Sequence, residues 1–438
     1  MTKRVAILGG GYTGLIAALR LSQAGYSVTI FEKSGNVGGL ASGFKIENAP
    51  LEKAYHHLFK TDKYIINLVN ELNIEDKLIW HDSSTAIFYN NNLYPFEGAL
   101  DLLRFKPLSF LNRLRAGLVI LYLQKTTKWQ KLQSISAYKW MLKYSGKQVT
   151  EVIWEPLLKG KFNKFYDQIS MAWLWARINT RAQSRVSGKE KLGYFEGGFE
   201  TFTGALIAKL KKQEVDIRLN ITISEIQKME NNKIKLVFDA STSLDFDYCL
   251  ATVPSNVFSK LIKNNTGIKR VYLKKLNNTK YLGARLIIFS STQEITKFYW
   301  HNINDMNLPF LVFINHTRLV NKSKFKNKYV YYIATYASAD NYIFKCTDTE
   351  LENLWFKNLV KVFPNFDKNK IHEVYHFKFA NAQHIVNNNY WKSIPKFKTP
   401  IENVFLANFS QIYPEDRGTN YAVRDGEKVA QIIIDRNK

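Results

Sequence analysis

The residues in this chain best suited to chemistry begin with three glycines, Gly9, Gly11 and Gly14, spaced G-x-G-x-x-G in "ILGGGYTG". Glu32 follows, and a second pair, Gly38 and Gly39, lies in "GNVGGLAS". Between a strand and a helix, glycines at that spacing let backbone approach a pyrophosphate. The helix N-terminus then faces the negative charge, and the acidic residue is placed for ribose hydroxyls. A second cluster, His372, Glu373 and His376, spells H-E-x-x-H, which on a helix would hold zinc. Its context, "IHEVYHFKFANAQ", is rich in β-formers. On a strand the two histidines stand about 13 Å apart, at about 3.3 Å per residue, too far to share one ion. No metal site is expected. Other candidates are scattered: the pair His56 and His57, then Trp300, His316 and Tyr413, all in segments expected on a substrate side. Packing competes as the explanation for each.

These residues need elements to position them. An apolar strand, Arg4 to Leu8, precedes the glycines, and helical spacing follows through Leu15, Ala18, Leu19 and Leu21. Gly25 stops that helix, and a second strand, Val28 to Phe31, ends in Glu32. This context favours dinucleotide binding over a purely structural unit. Residues 64–79 read as a helix, and Ala86 to Phe96 as two strands joined by an asparagine turn.

From Leu102 to Leu132 the chain is basic and apolar together. Phe110, Leu111, Leu114, Leu118 and Leu121 keep one helical face, and Arg113, Arg115, Lys125 and Lys128 supply charge. A membrane-surface helix competes here with a helix covering the substrate cavity. The second is favoured, because Ala116 to Leu123 is apolar on every side. Residues 136–180 read as helical, with Trp140, Trp154, Trp173 and Trp175 in the core. The "EGGF" helix leads into alternating strands, residues 275–395 read mostly as strand, and "NVFLAN" is a last strand before a terminal helix. The expected division is a nucleotide domain of residues 1–60, 190–270 and 400–438, and a substrate domain of residues 61–189 and 271–399.

A chain of 438 residues favours two domains. Cys249 and Cys346 lie far apart without metal spacing, which points to a reducing compartment. The net charge of +25 raises a nucleic-acid reading, yet the lysines are dispersed among asparagines and isoleucines, as in "KNNTGIKR" and "NKSKFKNK". No basic stripe or RNA-binding motif accompanies them, so no nucleic-acid partner is expected. A basic surface suits acidic substrates or anionic lipid headgroups. No run reaches the roughly 18 to 20 apolar residues that span a bilayer. The expected location is cytoplasmic, with residues 102–132 as a candidate peripheral membrane contact.

Three stretches together resemble the flavoprotein superfamily of amine oxidases, protoporphyrinogen oxidases and phytoene-desaturase-like enzymes: "GGGYTG" with Glu32 and "GNVGGLAS", the "EGGF" helix with its strands, and "NVFLANFSQIYPEDRGTNYAVRDGEKVAQIIID". Within it, "YPEDRGTNYAV" is most similar to the protoporphyrinogen-oxidase-like subset. The resemblance implies an α/β fold: a discontinuous, Rossmann-like FAD-binding domain with an inserted mixed α+β substrate domain. It implies Gly9, Gly11, Tyr12, Thr13 and Gly14 around the pyrophosphate, and Glu32 and Lys33 at the ribose end. Gly38, Gly39 and Leu40 would form a second clamp opposite Gly11, which favours FAD over NAD. By position, the backbone of Ile223 resembles the adenine contact, and Gly418, Thr419, Asn420 and Tyr421 resemble the segment that aims backbone N–H groups at the flavin ring. Where the family carries Gly-Asp, this chain has Asn408 and Phe409, so Asn408 offers an uncharged partner to a phosphate or ribityl hydroxyl. Neither covalent-flavin signature is present, so the FAD is expected to be noncovalent. The implied activity is hydride transfer to flavin N5 from a C–H or C–N bond of an apolar, isoprenoid-like or cyclic small molecule. The alternatives are a non-redox flavoenzyme similar to UDP-galactopyranose mutase, acting on a sugar nucleotide, and a noncatalytic flavin-binding protein at a membrane surface.

Overall fold

The strand Arg4–Leu8 is buried from Val5 to Leu8 on both faces, as a strand covered on both sides must be. In the computed structural model, which describes residues 2–238 and 242–437, it is the centre of a five-stranded parallel sheet. The order is Asp216–Arg218, Ser27–Phe31, Arg4–Leu8, Tyr248–Ala251, Val404–Leu406. Three separate stretches of sequence therefore build one sheet. Helix Tyr12–Gln23 covers it, and the terminal helix Thr419–Ile434 packs on that helix. Gly426 permits the crossing: a Cβ there would stand 2.8 Å from the Thr13 carbonyl oxygen.

Helix Lys63–Glu71 belongs to the same layer. Its Ile65, Leu68 and Val69 share a core with Val423 and Val429, although residue 61 was the expected start of the substrate domain. The helix expected over 64–79 is also shorter than its span. Asn73 turns the chain at φ 54°, and Leu78–Asp82 becomes a strand paired with Lys189–Phe195. That small sheet crosses the expected division at 190.

A seven-stranded sheet forms the second half, in the order Ile371–His384, Tyr281–Ser291, Tyr329–Ala337, Val312–Asn315, Trp300–Ile303, Thr85–Tyr89, Asn92–Pro95. The asparagine turn between the last two is present, with Asn90 and Asn91 at φ 49° and 58°. The H-E-x-x-H stretch lies on the strand Ile371–His384. Its histidines turn to different partners, His372 Nδ1 to Glu47 at 2.6 Å and His376 Nε2 to Glu352 at 3.6 Å. Trp140, Trp154 and Trp173 are buried in the helical layer, and both cysteines are free and buried.

Helix Phe110–Lys125 is less buried than its apolar run suggested, although Gly117, Ile120 and Leu121 line a cavity. Only Ala116 and Leu123 are buried, while Leu118, Leu121 and Tyr122 face outward. The two buried positions are seven apart, so one narrow strip meets the rest of the protein. Trp175 Nε1 pins it there, donating to the carbonyls of Leu123 and Thr126 at 3.0 Å each. Among the described residues, no helix is long and apolar enough to cross a membrane.

Candidate functional site

The two glycine loops meet. Gly9 sits at φ 111°, and a Cβ on Gly14 would stand 2.2 Å from the Gly9 carbonyl oxygen. Gly39, at φ 59°, is so close to the first loop that a Cβ on it would lie 3.2 Å from Gly11 Cα. Gly38 N donates to the Gly10 carbonyl at 2.8 Å. Glu32 is buried at the strand end beside them, its carboxylate accepting from Gly10 N at 2.7 Å and Ser34 N at 2.8 Å. No side chain caps the helix that follows, so its N-terminal N–H groups and partial positive charge face the loops. A groove that a methyl group would fill, an open helix terminus and a positioned carboxylate fit the pyrophosphate and ribose of FAD.

The other expected contacts divide. Tyr12 turns its ring into the core, its hydroxyl 3.0 Å from Thr203 Oγ1, which leaves only its backbone for the cradle. Lys33 is exposed and Thr13 half-buried. Ile223 lies in an extended segment held against the Glu32 strand end by Ile221 N donating to Glu32 O at 2.9 Å. Asn408 is a correction. Its Nδ2 donates to Val253 O and Ser255 Oγ, its Oδ1 accepts from Ser410, and its backbone N–H donates to Gln411 Oε1. A side chain so committed stiffens the turn and has no donor left for a ribityl hydroxyl.

Leu40, next to the second glycine pair, lines a cavity of about 250 Å³ together with Gly418, Thr419, Asn420 and Tyr421. No side chain caps the terminal helix, so its first N–H groups point at that space. The Asn420 side chain serves another end, accepting from Tyr64 N at 2.9 Å and Ile65 N at 3.2 Å and so capping helix Lys63–Glu71. Leu286, Trp300, Val312 and Phe379 give the cavity apolar walls.

Its floor is charged, which the sequence reading missed. Asp416 Oδ2 is 2.6 Å from Lys161 Nζ and 2.9 Å from Arg177 Nη1. Burial opposes the charge on Asp416, but the two cations overcome it and hold the carboxyl well below its usual range. Arg417 Nη2 donates to the Tyr336 hydroxyl at 2.9 Å. Burial would raise the Tyr336 phenol, and Arg417 and Lys161 more than offset this, so it lies below its ordinary value. Arg181 clasps Glu190 with two bonds of 2.8 and 2.9 Å, and the carboxyl falls to about 2 despite burial. Arg177 and Arg181 share helix Met171–Gln183, whereas Lys161 comes from helix Glu155–Phe162 and Arg417 from a loop distant in sequence. The one signal was "EDRG", directly before the terminal helix.

Of the scattered candidates, His56, His57 and Trp300 reach the cavity. His57 Nδ1 bonds the Tyr299 hydroxyl at 3.1 Å, and burial lowers its pKa to about 3, so the ring is neutral. His316 and Tyr413 are not there. His316 is buried behind Tyr194, beside Gly197 and Gly198, in the turn that follows strand Val312–Asn315. Tyr413 is held away from the cavity by Ser170 Oγ at 2.8 Å and packs on Tyr390.

With this geometry in place, the chain can be set beside known proteins. The model of the flavin containing amine oxidoreductase family matches residues 12–434. Coproporphyrinogen III oxidase of Staphylococcus aureus is 27% identical over 292 residues, which are 59% of this chain and 62% of that protein. The 15-cis-phytoene desaturase of Capsicum annuum is 21% identical over 98% of this chain and 77% of its own length. The crystal structure of a putative protoporphyrinogen oxidase from Exiguobacterium superposes over 100% of this chain and 99% of that one, with a TM-score of 0.79 at 17% identity. The match to the first of these relatives spans less than two thirds of its length.

Proposed function

Because the chain belongs to the flavin-containing amine oxidoreductases, we propose that it is an FAD-dependent oxidoreductase acting on a largely apolar small molecule. The observation that carries this is the contact of Gly39 with Gly11, with Leu40 lining the same cavity as the start of the terminal helix. Gly9, Gly11, Gly14, Gly38 and Gly39 hold the pyrophosphate by backbone, and Glu32 with Lys33 meets the ribose. Ile223 meets the adenine by backbone, and Gly418 to Tyr421 present N–H groups to the ring. When bound, FAD supplies a hydride acceptor for a C–H or C–N bond.

The protein's own side chains do the rest. Leu286, Trp300, Val312 and Phe379 exclude water and hold the apolar body of the substrate. Tyr336, kept below its ordinary pKa by Arg417 and Lys161, is the residue placed to take the proton a donor releases. His57, neutral and fixed by Tyr299, orients the substrate. The same reading includes a peripheral contact with lipid through residues 102–132.

An absorbance spectrum of the purified protein, followed by anaerobic titration with candidate donors, tests this. Flavin bands that bleach with a donor are expected. A colourless protein holding another nucleotide overturns the proposal. A second reading, a non-redox flavoenzyme on a sugar nucleotide, draws on Lys161, Arg177, Arg181 and Arg417 around the cavity, which suit phosphates. Turnover of a UDP-sugar after reduction, with no electron acceptor consumed, would favour it.

A further inference from the structure

Asp62 stands at the N-cap position of helix Lys63–Glu71, where an aspartate ordinarily accepts hydrogen bonds from the first free N–H groups of the helix. Its side chain accepts none of them. Asn420 does so instead, reaching over from the terminal helix to Tyr64 N at 2.9 Å and Ile65 N at 3.2 Å. The cap comes from outside, and the Asp62 carboxyl is released from it.

The released group belongs to the cavity. Its Oδ2 accepts from Phe59 N at 2.9 Å, and its Oδ1 has no hydrogen-bond partner among the described residues. Asp62 is buried and lines the cavity of about 250 Å³ together with Leu40, Thr419 and Tyr421. Asp416, on the same cavity, is held by Lys161 and Arg177, whereas Asp62 makes no ion pair among the described residues. Glu32 and Glu52 also lack a cation, but both oxygens of each accept a hydrogen bond, and neither lines this cavity.

A buried carboxylate with no cation and an empty oxygen is costly, so the group keeps its proton until the pH is high. Burial raises its pKa to about 7, opposed only by the Phe59 bond. The groups that face it on this cavity do not remove that proton. Tyr421, from the terminal helix, is a phenol raised by burial and by nearby acids; His57 is a neutral ring; Arg181, from helix Met171–Gln183, is committed to Glu190.

We propose that Asp62, freed from capping by Asn420, is a proton donor of this site, aimed at the negative charge that reduction brings beside the first turn of the terminal helix. This rests on the oxidoreductase reading. A hydride accepted there carries two electrons with one proton, and so one negative charge. The proton that neutralises it leaves the Asp62 carboxyl, and solvent reprotonates the carboxylate. Tyr336 takes a different proton, the one the donor releases.

Potentiometric titration of the flavin-loaded protein at a series of pH values tests this, because the slope of midpoint potential against pH counts protons taken up with the electrons. Wild type should take up about two protons per two electrons between about pH 7 and 8.5, since a negative charge nearby holds the Asp62 proton more tightly. Asp62→Asn should take up about one, a slope half as steep, and Asp62→Glu should restore the second. The asparagine keeps the size of the side chain and the acceptor for Phe59 N, so its melting temperature at pH 8 should be no lower than that of wild type. One proton per two electrons in wild type overturns the proposal without recourse to any variant. So does an Asp62→Asn protein that still takes up two, which would assign the second proton to Tyr336 or another group. A colourless protein overturns the oxidoreductase reading and this proposal together, whereas a yellow one with equal slopes overturns only this proposal.

Discussion

At the scale of single residues, the site depends on side chains that are absent as much as on those present. Gly39→Val would force a branched side chain into φ 59° and against Gly11 Cα. It should cost about 1–3 kcal/mol in backbone strain alone and abolish flavin retention, read as the ratio of flavin to protein absorbance after gel filtration. Tyr336→Phe should lower kcat about a hundredfold, a usual loss for a general base. Because the active form is the deprotonated phenol, activity should rise with pH in the wild type, and the variant should lose that rise. The glycine cradle and Glu32 were legible in the sequence because their spacing is local. Lys161, Arg177, Tyr336 and Asp416 were not, because only the folded chain brings them together. His316 and Tyr413 misled for the same reason: residue type suggested a role, but the fold placed one beside Tyr194 and bound the other to Ser170.

At the scale of elements, the crossing of helices Tyr12–Gln23 and Thr419–Ile434 is set by Gly426. Gly426→Ala would put a methyl 2.8 Å from the Thr13 carbonyl oxygen and 3.0 Å from Ile16 Cβ. It should destabilise by about 1–3 kcal/mol, as overpacking does, seen as a lower melting temperature with or without added FAD. Parallel strands and covering helices could be read from their apolar runs. Helix Phe110–Lys125 could not, since an apolar segment buried in protein and one left exposed share a composition, and only the neighbouring elements distinguish them. The helix over 64–79 was overextended because an asparagine at positive φ leaves little trace in hydrophobic periodicity.

Across the whole molecule, buried titratable groups set the response to acid. Burial holds His56 and His301 near pKa 4, and His57, His316 and His384 near 3. Unfolded, such rings take a proton near 6.5, so between about 6.5 and 4 the unfolded chain binds protons that the folded one refuses, and stability falls as pH falls. Glu52 and Asp62 act in the opposite sense: burial raises both to about 7, so their contribution declines as pH climbs from about 4 toward 7. Five histidines outweigh two carboxyls, and calorimetry should show the melting temperature dropping from pH 6.5 to 4.5. Asp62→Asn should raise it more at pH 8 than at pH 5. A flat profile across pH 4.5–6.5 would contradict the buried, neutral state of these rings.

The order of strands in the parallel sheet bears on how the protein is made. Its edge strand Val404–Leu406 and the helix Thr419–Ile434 leave the ribosome long after helix Tyr12–Gln23, against which that later helix must pack. Helix Tyr12–Gln23 thus waits, with apolar surface uncovered, for helix Thr419–Ile434. Cofactor loading can be completed only once strand Val404–Leu406 and helix Thr419–Ile434 have emerged, and a nascent chain paused before residue 400 is a natural client for chaperones.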